Sequence, residues 1–131
     1  MSSKPEIVFR AMKEDPNGNP LTGRSARKLG VRICGPRIDI PIRAGKVYPQ
    51  TGGMSVTPDC VMRLPKSRRP QSLGGYGRDP VFSLQVSDLS SSLALRRDKP
   101  THVLIEPSRC CLFEEFEQNL YGTKEKWMKY E

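Results

Sequence analysis

The sequence has little of the chemistry that marks metal sites or disulfide frameworks. It contains one histidine, and its four cysteines, Cys34, Cys60, Cys110 and Cys111, form no CxxC pair. A structural zinc site would need distant cysteines to join the adjacent pair, so we expect no metal site. We interpret the four as reduced, mostly buried thiols of a cytoplasmic protein, with the adjacent pair in the core at the start of a helix.

Long hydrophobic runs are also missing. No apolar stretch approaches the length of a membrane span, and the N-terminus lacks the apolar segment of a secretory signal. We therefore expect a protein without a membrane span, made without a cleaved signal. The length of 131 residues fits a single domain over residues 1–131. Residues 1–4 are predicted to be a loose tail.

Acidic residues are too few to balance the basic ones. The chain has 22 lysines and arginines against 14 aspartates and glutamates, a formal net charge of +8. This excess favours an anionic partner: nucleic acid, a phosphate-bearing cofactor or an acidic protein, with plain solubility as the alternative. Residues 63–80 are predicted to form a long basic surface loop. Because aromatic residues are not interleaved with the basic ones, we rank nucleic acid below the other two partners.

The hydrophobic pattern predicts an α+β fold, a strand-rich body with one C-terminal helix. Strands are predicted over 7–12, 81–86 and 101–106, with a broken extended run over 54–62 and an edge strand or extended loop over 38–42. The helix should begin at about Ser108, bury a stripe from Leu112 to Leu120 and end at Gly122. Short helices are expected over 25–29 and from Ser87 or Asp88 through Leu95.

Two adjacent glycines, Gly52 and Gly53, interrupt the middle of the chain. Without Cβ atoms they permit positive φ and a close approach of the backbone to a neighbour or a ligand. Thr51 precedes them, and Ser55 and Thr57 share one face of the strand that follows. A glycine turn that opens onto a hydroxyl-bearing strand can cradle a nucleotide. An ordinary turn and strand has the same pattern, so both interpretations stand.

Three separated motifs occur in an order that resembles a known toxin family. They are Phe9-Arg10-Ala11, Pro49-x-Thr51-Gly52-Gly53-x-Ser55-Val56 and Thr101-His102-x-x-Ile105-x-Pro107. Over roughly residues 7–120, the chain resembles the type VI secretion exported effector two family, small cytoplasmic toxins with an ADP-ribosyltransferase-like fold. The resemblance implies a split antiparallel β-body that binds NAD, as its substrate, in a cleft.

The resemblance also implies roles for four residues. Arg10 would hold the dinucleotide, and Ser55 would brace the cleft. A carboxylate that steadies the nicotinamide ribose would be Glu106, the nearest acid, although His102 matches the family better at that end. Because cleavage of the nicotinamide–ribose bond passes through a cation-like sugar, a carboxylate would stabilise it and an arginine would pair with the pyrophosphate.

The glycine turn would complete the NAD site. The backbone of Gly52 and Gly53, with Thr51 beside them, would approach the dinucleotide where a side chain would collide. Tyr48 or Tyr76 would stack on nicotinamide or adenine. Tyrosines at such positions are also common packing residues.

Strand alternation predicts that these distant residues converge. Arg10, Ser55 and at least one of His102 and Glu106 should line one pocket, with Phe9 turned toward the core, the glycine pair at the rim and the basic loop near the mouth. The structural alternatives are an Arg10 paired with Glu6 or Glu106 and a His102 that is only a satisfied strand histidine.

The preferred interpretation is a toxin-like ADP-ribosyltransferase, or NAD glycohydrolase, that acts in a cytoplasm. The alternatives are a non-catalytic binding protein on the same fold and a basic nucleic-acid-binding domain or RNA-targeting toxin. We also expect a small acidic immunity protein that binds over or beside the cleft, because complementary charge speeds encounter.

Overall fold

A computed structural model describes residues 5–130, so the predicted tail over 1–4 lies outside the described residues. The helix and strands follow in the order β1 (Ile7–Ala11), β2 (Lys46–Val47), β3 (Met54–Pro58), β4 (Val81–Gln85), β5 (Leu93–Lys99), β6 (His102–Pro107), β7 (Cys111–Leu112), α1 (Phe113–Tyr121) and β8 (Met128–Lys129). Short 3-10 turns cover Val61–Arg63, Gln71–Leu73, Val86–Asp88 and Lys124–Lys126.

Six strands form one antiparallel sheet in the order β5-β6-β3-β1-β4-β8, and β2 pairs with β7 separately. β1 pairs with β4 along its whole length, but with β3 only through Val8–Pro58 and Phe9–Thr57. β3 pairs instead with β6, from Met54 to Val56. The sheet therefore divides between β1 and β3 after Phe9. The α+β class and the split antiparallel body with a C-terminal helix are confirmed.

The main core lies between the sheet and α1. Strand alternation places Val8, Val56, Val103 and Ile105 on the face that Phe116 of α1 covers, and each of these side chains is at most 2% exposed. Full burial of a side chain of this size contributes about 1.5–3 kcal/mol. A smaller apolar cluster on the other side of the sheet contains Phe9, Ala11, Val61, Leu64 and Val81.

Three predicted elements are wrong in kind or in extent. Residues 25–29 form a turn rather than a helix. Leu93–Lys99 is a strand, because the adjacent β6 offers it a pairing edge from Leu93 to Lys99. α1 begins at Phe113 rather than near Ser108, because Cys111–Leu112 first pairs with Lys46–Val47.

The cysteines are free, but their predicted burial is wrong. Cys34, Cys60 and Cys110 are exposed and Cys111 is half-buried, because the first three lie on connections rather than in strands or the helix. Among residues 5–130, no three His, Cys, Asp or Glu side chains come together as a metal site. That same part of the chain has no helix with the length and hydrophobicity required to cross a bilayer.

Candidate functional site

A cavity of about 340 Å³ lies where the sheet divides. Its volume falls within the range of about 300–1,000 Å³ typical of small-molecule sites. Residues of β1, β3 and β6 that point away from α1 form its floor: Phe9, Ala11, Ser55, Thr57 and His102. Two loops form its walls, one with Ala26, Arg32, Arg37 and Asp39, the other with Leu64, Pro65 and Arg68.

Arg10 also borders this cavity, and it does so from the core side of the sheet. It shares its strand face with Val8 and Met12, both in the main core, whereas Phe9 lies on the cavity face. Phe9 is buried as predicted, but in the smaller cluster and on the cavity face, and Arg10 lines the cavity as predicted. Arg10 reaches the cavity because β1 and β3 separate beside it, and its Nη1 donates to the Ser55 carbonyl across the gap at 2.7 Å.

Among residues 5–130, the hydrogen bonds of the Arg10 guanidinium go to backbone carbonyls rather than to carboxylates. Nη2 and Nε donate to the Lys28 carbonyl at 2.8 and 3.3 Å, and Nη2 also approaches the carbonyls of Ser25 and Gly30. The residue is 8% exposed. Burial lowers the pKa of Arg10 to about 10, partly opposed by the nearby Asp39 carboxylate. Arg10 pairs with neither Glu6 nor Glu106, the partners in the structural alternative, and a buried positive charge lies beside the cavity.

The predicted convergence is confirmed for Arg10, Ser55 and His102, which line the same cavity. Their catalytic or NAD-binding roles remain predictions. Sequence reasoning did not assign Thr57 a role, although it is buried on the cavity floor and follows Ser55 by two residues on the same strand face.

Glu106 is not among the residues that line this cavity, although it shares a strand face with His102. Its carboxylate accepts a hydrogen bond from Nε of Arg96 at 2.6 Å and one from the Gln50 backbone N–H at 3.2 Å. The side chain is 7% exposed. Glu106 thus joins β5 to the turn before β3, and its predicted catalytic role remains untested.

The glycine turn packs against the protein's own backbone. A Cβ at Gly52 would lie 2.1 Å from the Asp39 carbonyl oxygen, and one at Gly53 would lie 2.5 Å from the Ile105 carbonyl oxygen. The Gly53 N–H donates to the Asp39 carbonyl at 2.9 Å. The glycines are therefore required for close backbone packing. Neither is among the residues that line the cavity, so the expected placement at its rim is wrong.

The other residues of that turn also lie outside the cavity lining. The Thr51 hydroxyl donates to the Tyr48 carbonyl at 2.7 Å, which closes the turn on itself. Tyr48 is half-buried just after β2. The NAD-binding roles predicted for Tyr48, Thr51, Gly52 and Gly53 remain predictions.

Sequence reasoning missed the one carboxylate among the residues that line the cavity, Asp39. Its oxygens accept hydrogen bonds from Nε and Nη2 of Arg32 at 3.0 and 2.8 Å and from the Arg32 backbone N–H at 2.7 Å. The Asp39 side chain is 12% exposed. This pair fixes the wall loop, because the Asp39 N–H also donates to the Arg32 carbonyl.

Two arginines, Arg37 and Arg68, give the cavity a surplus of positive charge. Within residues 5–130, neither Arg37 nor Arg68 has a carboxylate partner. Arg68 makes one contact of 3.3 Å to the Ala26 carbonyl, and Arg37 is exposed. With Arg10 and the Arg32–Asp39 pair, the site has four arginines and one aspartate. This composition favours an anionic ligand.

A second cavity of about 360 Å³ adjoins the first, since Ala11 and Arg68 line both. Arg27 and Asp79 form a bidentate ion pair in its wall, with both N–O distances 2.7 Å. Arg78 and the exposed Tyr76 also line it. The predicted position of the basic loop near the mouth is confirmed for Arg68.

One protein family matches a range of residues that includes α1 and all strands except β8. Comparison with curated proteins and with solved structures finds no match. A family model described as Tse2 ADP-ribosyltransferase toxin matches residues 7–127, from β1 to the segment just before β8. With its split sheet and arginine-lined cavity, the chain belongs to the Tse2 family of ADP-ribosyltransferase toxins.

Proposed function

We propose that this toxin uses NAD as the donor of ADP-ribose and binds it in the cavity at the split of the sheet. The observation that carries the proposal is the set of four arginines around one cavity with only one aspartate among them. Arginine recognises phosphate oxygens through planar, paired hydrogen bonds, and the pyrophosphate of NAD carries two negative charges. The family description supports the transferase activity.

The two adjoining cavities suggest how a dinucleotide would lie. Arg68 stands at their shared boundary, so a pyrophosphate at Arg68 would place one nucleoside in each cavity. The nicotinamide ribose belongs in the first cavity, where His102 and Ser55 are found. The adenosine belongs in the second, where the exposed ring of Tyr76 offers a stacking surface.

Calorimetric titration with NAD tests this placement. Arg68→Ala removes the arginine at the boundary, whereas Arg109→Ala removes an exposed arginine on the connection before β7 as a control for net charge. A lost charge-assisted hydrogen bond costs about 1.5–3 kcal/mol, so Arg68→Ala should weaken NAD binding about tenfold or more. Arg109→Ala should change it less than about twofold.

Nicotinamide release, measured on the same proteins, tests the transferase activity. The wild-type protein should release nicotinamide from NAD when a lysate supplies an acceptor. Absence of NAD binding by the wild type, or equal loss of affinity in both variants, would refute the proposed site.

The same surplus of positive charge favours an acidic protein as a partner. We propose that a small acidic protein neutralises the toxin in the cytoplasm of the producing cell by covering the mouth formed by Arg37 and Arg68. Opposite charge would raise the association rate, and that rate should fall steeply as ionic strength increases. An association rate that ignores salt would contradict the electrostatic part of this proposal.

A further inference from the structure

The only histidine of the chain forms a short hydrogen bond to a carboxylate at the edge of the cavity. Nδ1 of His102 lies 2.6 Å from Oδ1 of Asp98, and His102 lines the cavity floor. A carboxylate can only accept a hydrogen bond, so Nδ1 must be the protonated nitrogen. The neutral ring then has its lone pair on Nε2. Asp98 therefore selects one of the two tautomers of His102.

A β-bulge places Asp98 at this position. The pairing of β5 with β6 is regular as far as Arg97 and Val103, but the next pair joins Lys99, rather than Asp98, to His102. Two residues of β5 thus oppose one residue of β6, and such bulges reorient side chains next to functional sites. Arg97 is engaged elsewhere, with the carboxylate of Asp59 and the carbonyl of Pro100, so it does not compete for Asp98.

We propose that Asp98 is a positioning residue that holds His102 as the general base of the transfer reaction. This inference rests on the proposed use of NAD, and it specifies an acceptor that attacks through a hydroxyl group, either on a macromolecule or in water. A general base is needed for such an acceptor because a neutral hydroxyl is a weak nucleophile.

The step balances in atoms and charge. The acceptor oxygen forms a bond to C1′ of the nicotinamide ribose, and its proton passes to Nε2 of His102. The bond from C1′ to the nicotinamide nitrogen breaks, and its electron pair stays on that nitrogen, so nicotinamide leaves neutral. The positive charge of the pyridinium reappears on the imidazolium of His102. Asp98 lies 2.6 Å away and stabilises that charge.

The charges around the cavity explain why this step needs a carboxylate at His102. The charged residues are Asp98 and Lys99 on β5 and, among those that line the cavity with His102, Arg10, Arg32, Arg37, Asp39 and Arg68. Most of them are positive and cannot balance a positive charge that forms on the ring during the reaction. Asp98 is the carboxylate in direct contact with the ring.

Nitrogen-detected NMR of the NAD-free protein tests the tautomer directly. Because the chain has one histidine, its ring signals need no assignment. Above the pH at which the ring is charged, Nδ1 should show the chemical shift of a protonated nitrogen and Nε2 that of an unprotonated one. Asp98→Ala should restore the mixture typical of free histidine, in which Nε2–H dominates. The control Asp88→Asn removes an exposed carboxylate in the 3-10 turn Val86–Asp88, away from Arg97 and His102, and should leave the spectrum unchanged.

Kinetics of nicotinamide release test the catalytic consequence. Asp98→Ala should lower kcat about 10- to 100-fold, part of the ~10²–10⁴ that a general base supplies, and leave the affinity for NAD within about twofold. The acid limb of the pH profile of kcat/KM should move, because the carboxylate that favours the charged ring is gone. Asp88→Asn should match the wild type in both respects.

The outcomes separate this inference from the proposed function. An unprotonated Nδ1 in the wild type, or a tautomer that Asp98→Ala does not change, overturns the positioning role whatever the enzyme does. A wild type that binds NAD and releases nicotinamide, with an Asp98→Ala variant of equal kcat and equal pH profile, overturns the general base. A wild type that binds no NAD refutes the proposed function, while the NMR result still decides the tautomer.

Discussion

The buried guanidinium of Arg10 allows structural support to be separated from catalysis. Replacing it by methionine, Arg10→Met, keeps an unbranched side chain about as long as the Arg10 stem to Nε and removes all of its donors. The carbonyls of Ser55 and Lys28 then lose the donors that now lie 2.7 and 2.8 Å away. The Ser55 carbonyl lies where the sheet has divided and Lys28 lies in an irregular segment, so within residues 5–130 no strand neighbour replaces the lost bonds.

The magnitude follows from these two bonds. A buried carbonyl left without a donor costs about 1–3 kcal/mol, so two cost about 2–6 kcal/mol. Removing a charge that burial penalises, as the pKa of about 10 for Arg10 shows, offsets part of this cost. We expect the free energy of unfolding to fall by about 2–4 kcal/mol.

Urea unfolding followed by tryptophan fluorescence measures this loss, because Trp127 is the only tryptophan and is 3% exposed in the main core. The matched control is Arg68→Met, which removes an arginine of the same cavity with one 3.3 Å carbonyl contact. The control should lose less than about 1 kcal/mol. A free energy for Arg10→Met within about 0.5 kcal/mol of the wild type would refute the reasoning. If the loss is found, reduced toxicity of Arg10 variants reports folding as well as catalysis.

Two further predictions concern the glycine turn and the response to acid. Gly52→Ala should lower the free energy of unfolding by more than about 3 kcal/mol, because the new Cβ would meet the Asp39 carbonyl. Gly45→Ala, at φ +77° in open space, should lower it by about 1–2 kcal/mol. Equal losses of the two variants in urea unfolding would contradict the packing argument. A hydrogen bond from Arg24 is the main cause of the lowered pKa of Glu117. The Arg24–Glu117 pair therefore stabilises the fold fully above the ordinary glutamate pKa of about 4.3, and this stabilisation is lost as pH falls through the lower folded-state pKa. The difference in unfolding free energy between wild type and Glu117→Gln should therefore close below about pH 4, and a constant difference would contradict the pairing.

Much of the fold could be predicted because several segments have an unambiguous period. The strands beginning at Ile7, Val81 and His102 alternate clearly, and the Phe113 to Leu120 stripe has helical spacing. The segment around Leu93 failed because leucines at 89, 93 and 95 fit a helix and a strand equally well. Only the pairing edge of β6 decides between them, and that edge is a tertiary feature.

The site was less predictable for a physical reason. Alternation correctly placed Ser55 and His102 on the cavity face, since strands position side chains at a fixed period. Arg10 lines the same cavity for another reason, because β1 and β3 separate beside it. Asp39 and Asp98 were missed because one lies on an irregular loop and the other at a β-bulge, where no period operates. A bulge or a loop ion pair leaves no pattern that a single sequence displays.

The first two motif segments both contact one wall of the cavity. Arg10 holds the carbonyls of Lys28 and Gly30, and the glycine turn holds the carbonyl of Asp39 through Gly53. Between these anchors runs a loop without regular secondary structure that carries Arg32 and Arg37.

An irregular loop keeps its position only if other elements satisfy its backbone, and here the motif residues do so. Gly52, Gly53 and, in part, Arg10 thus shape the site through the wall loop. A substitution in either segment should displace Arg37 and the Arg32–Asp39 pair together. In the proposed enzyme, the substrate is contacted by the side chains of Arg68, Ser55 and His102 and by the arginines of the wall loop.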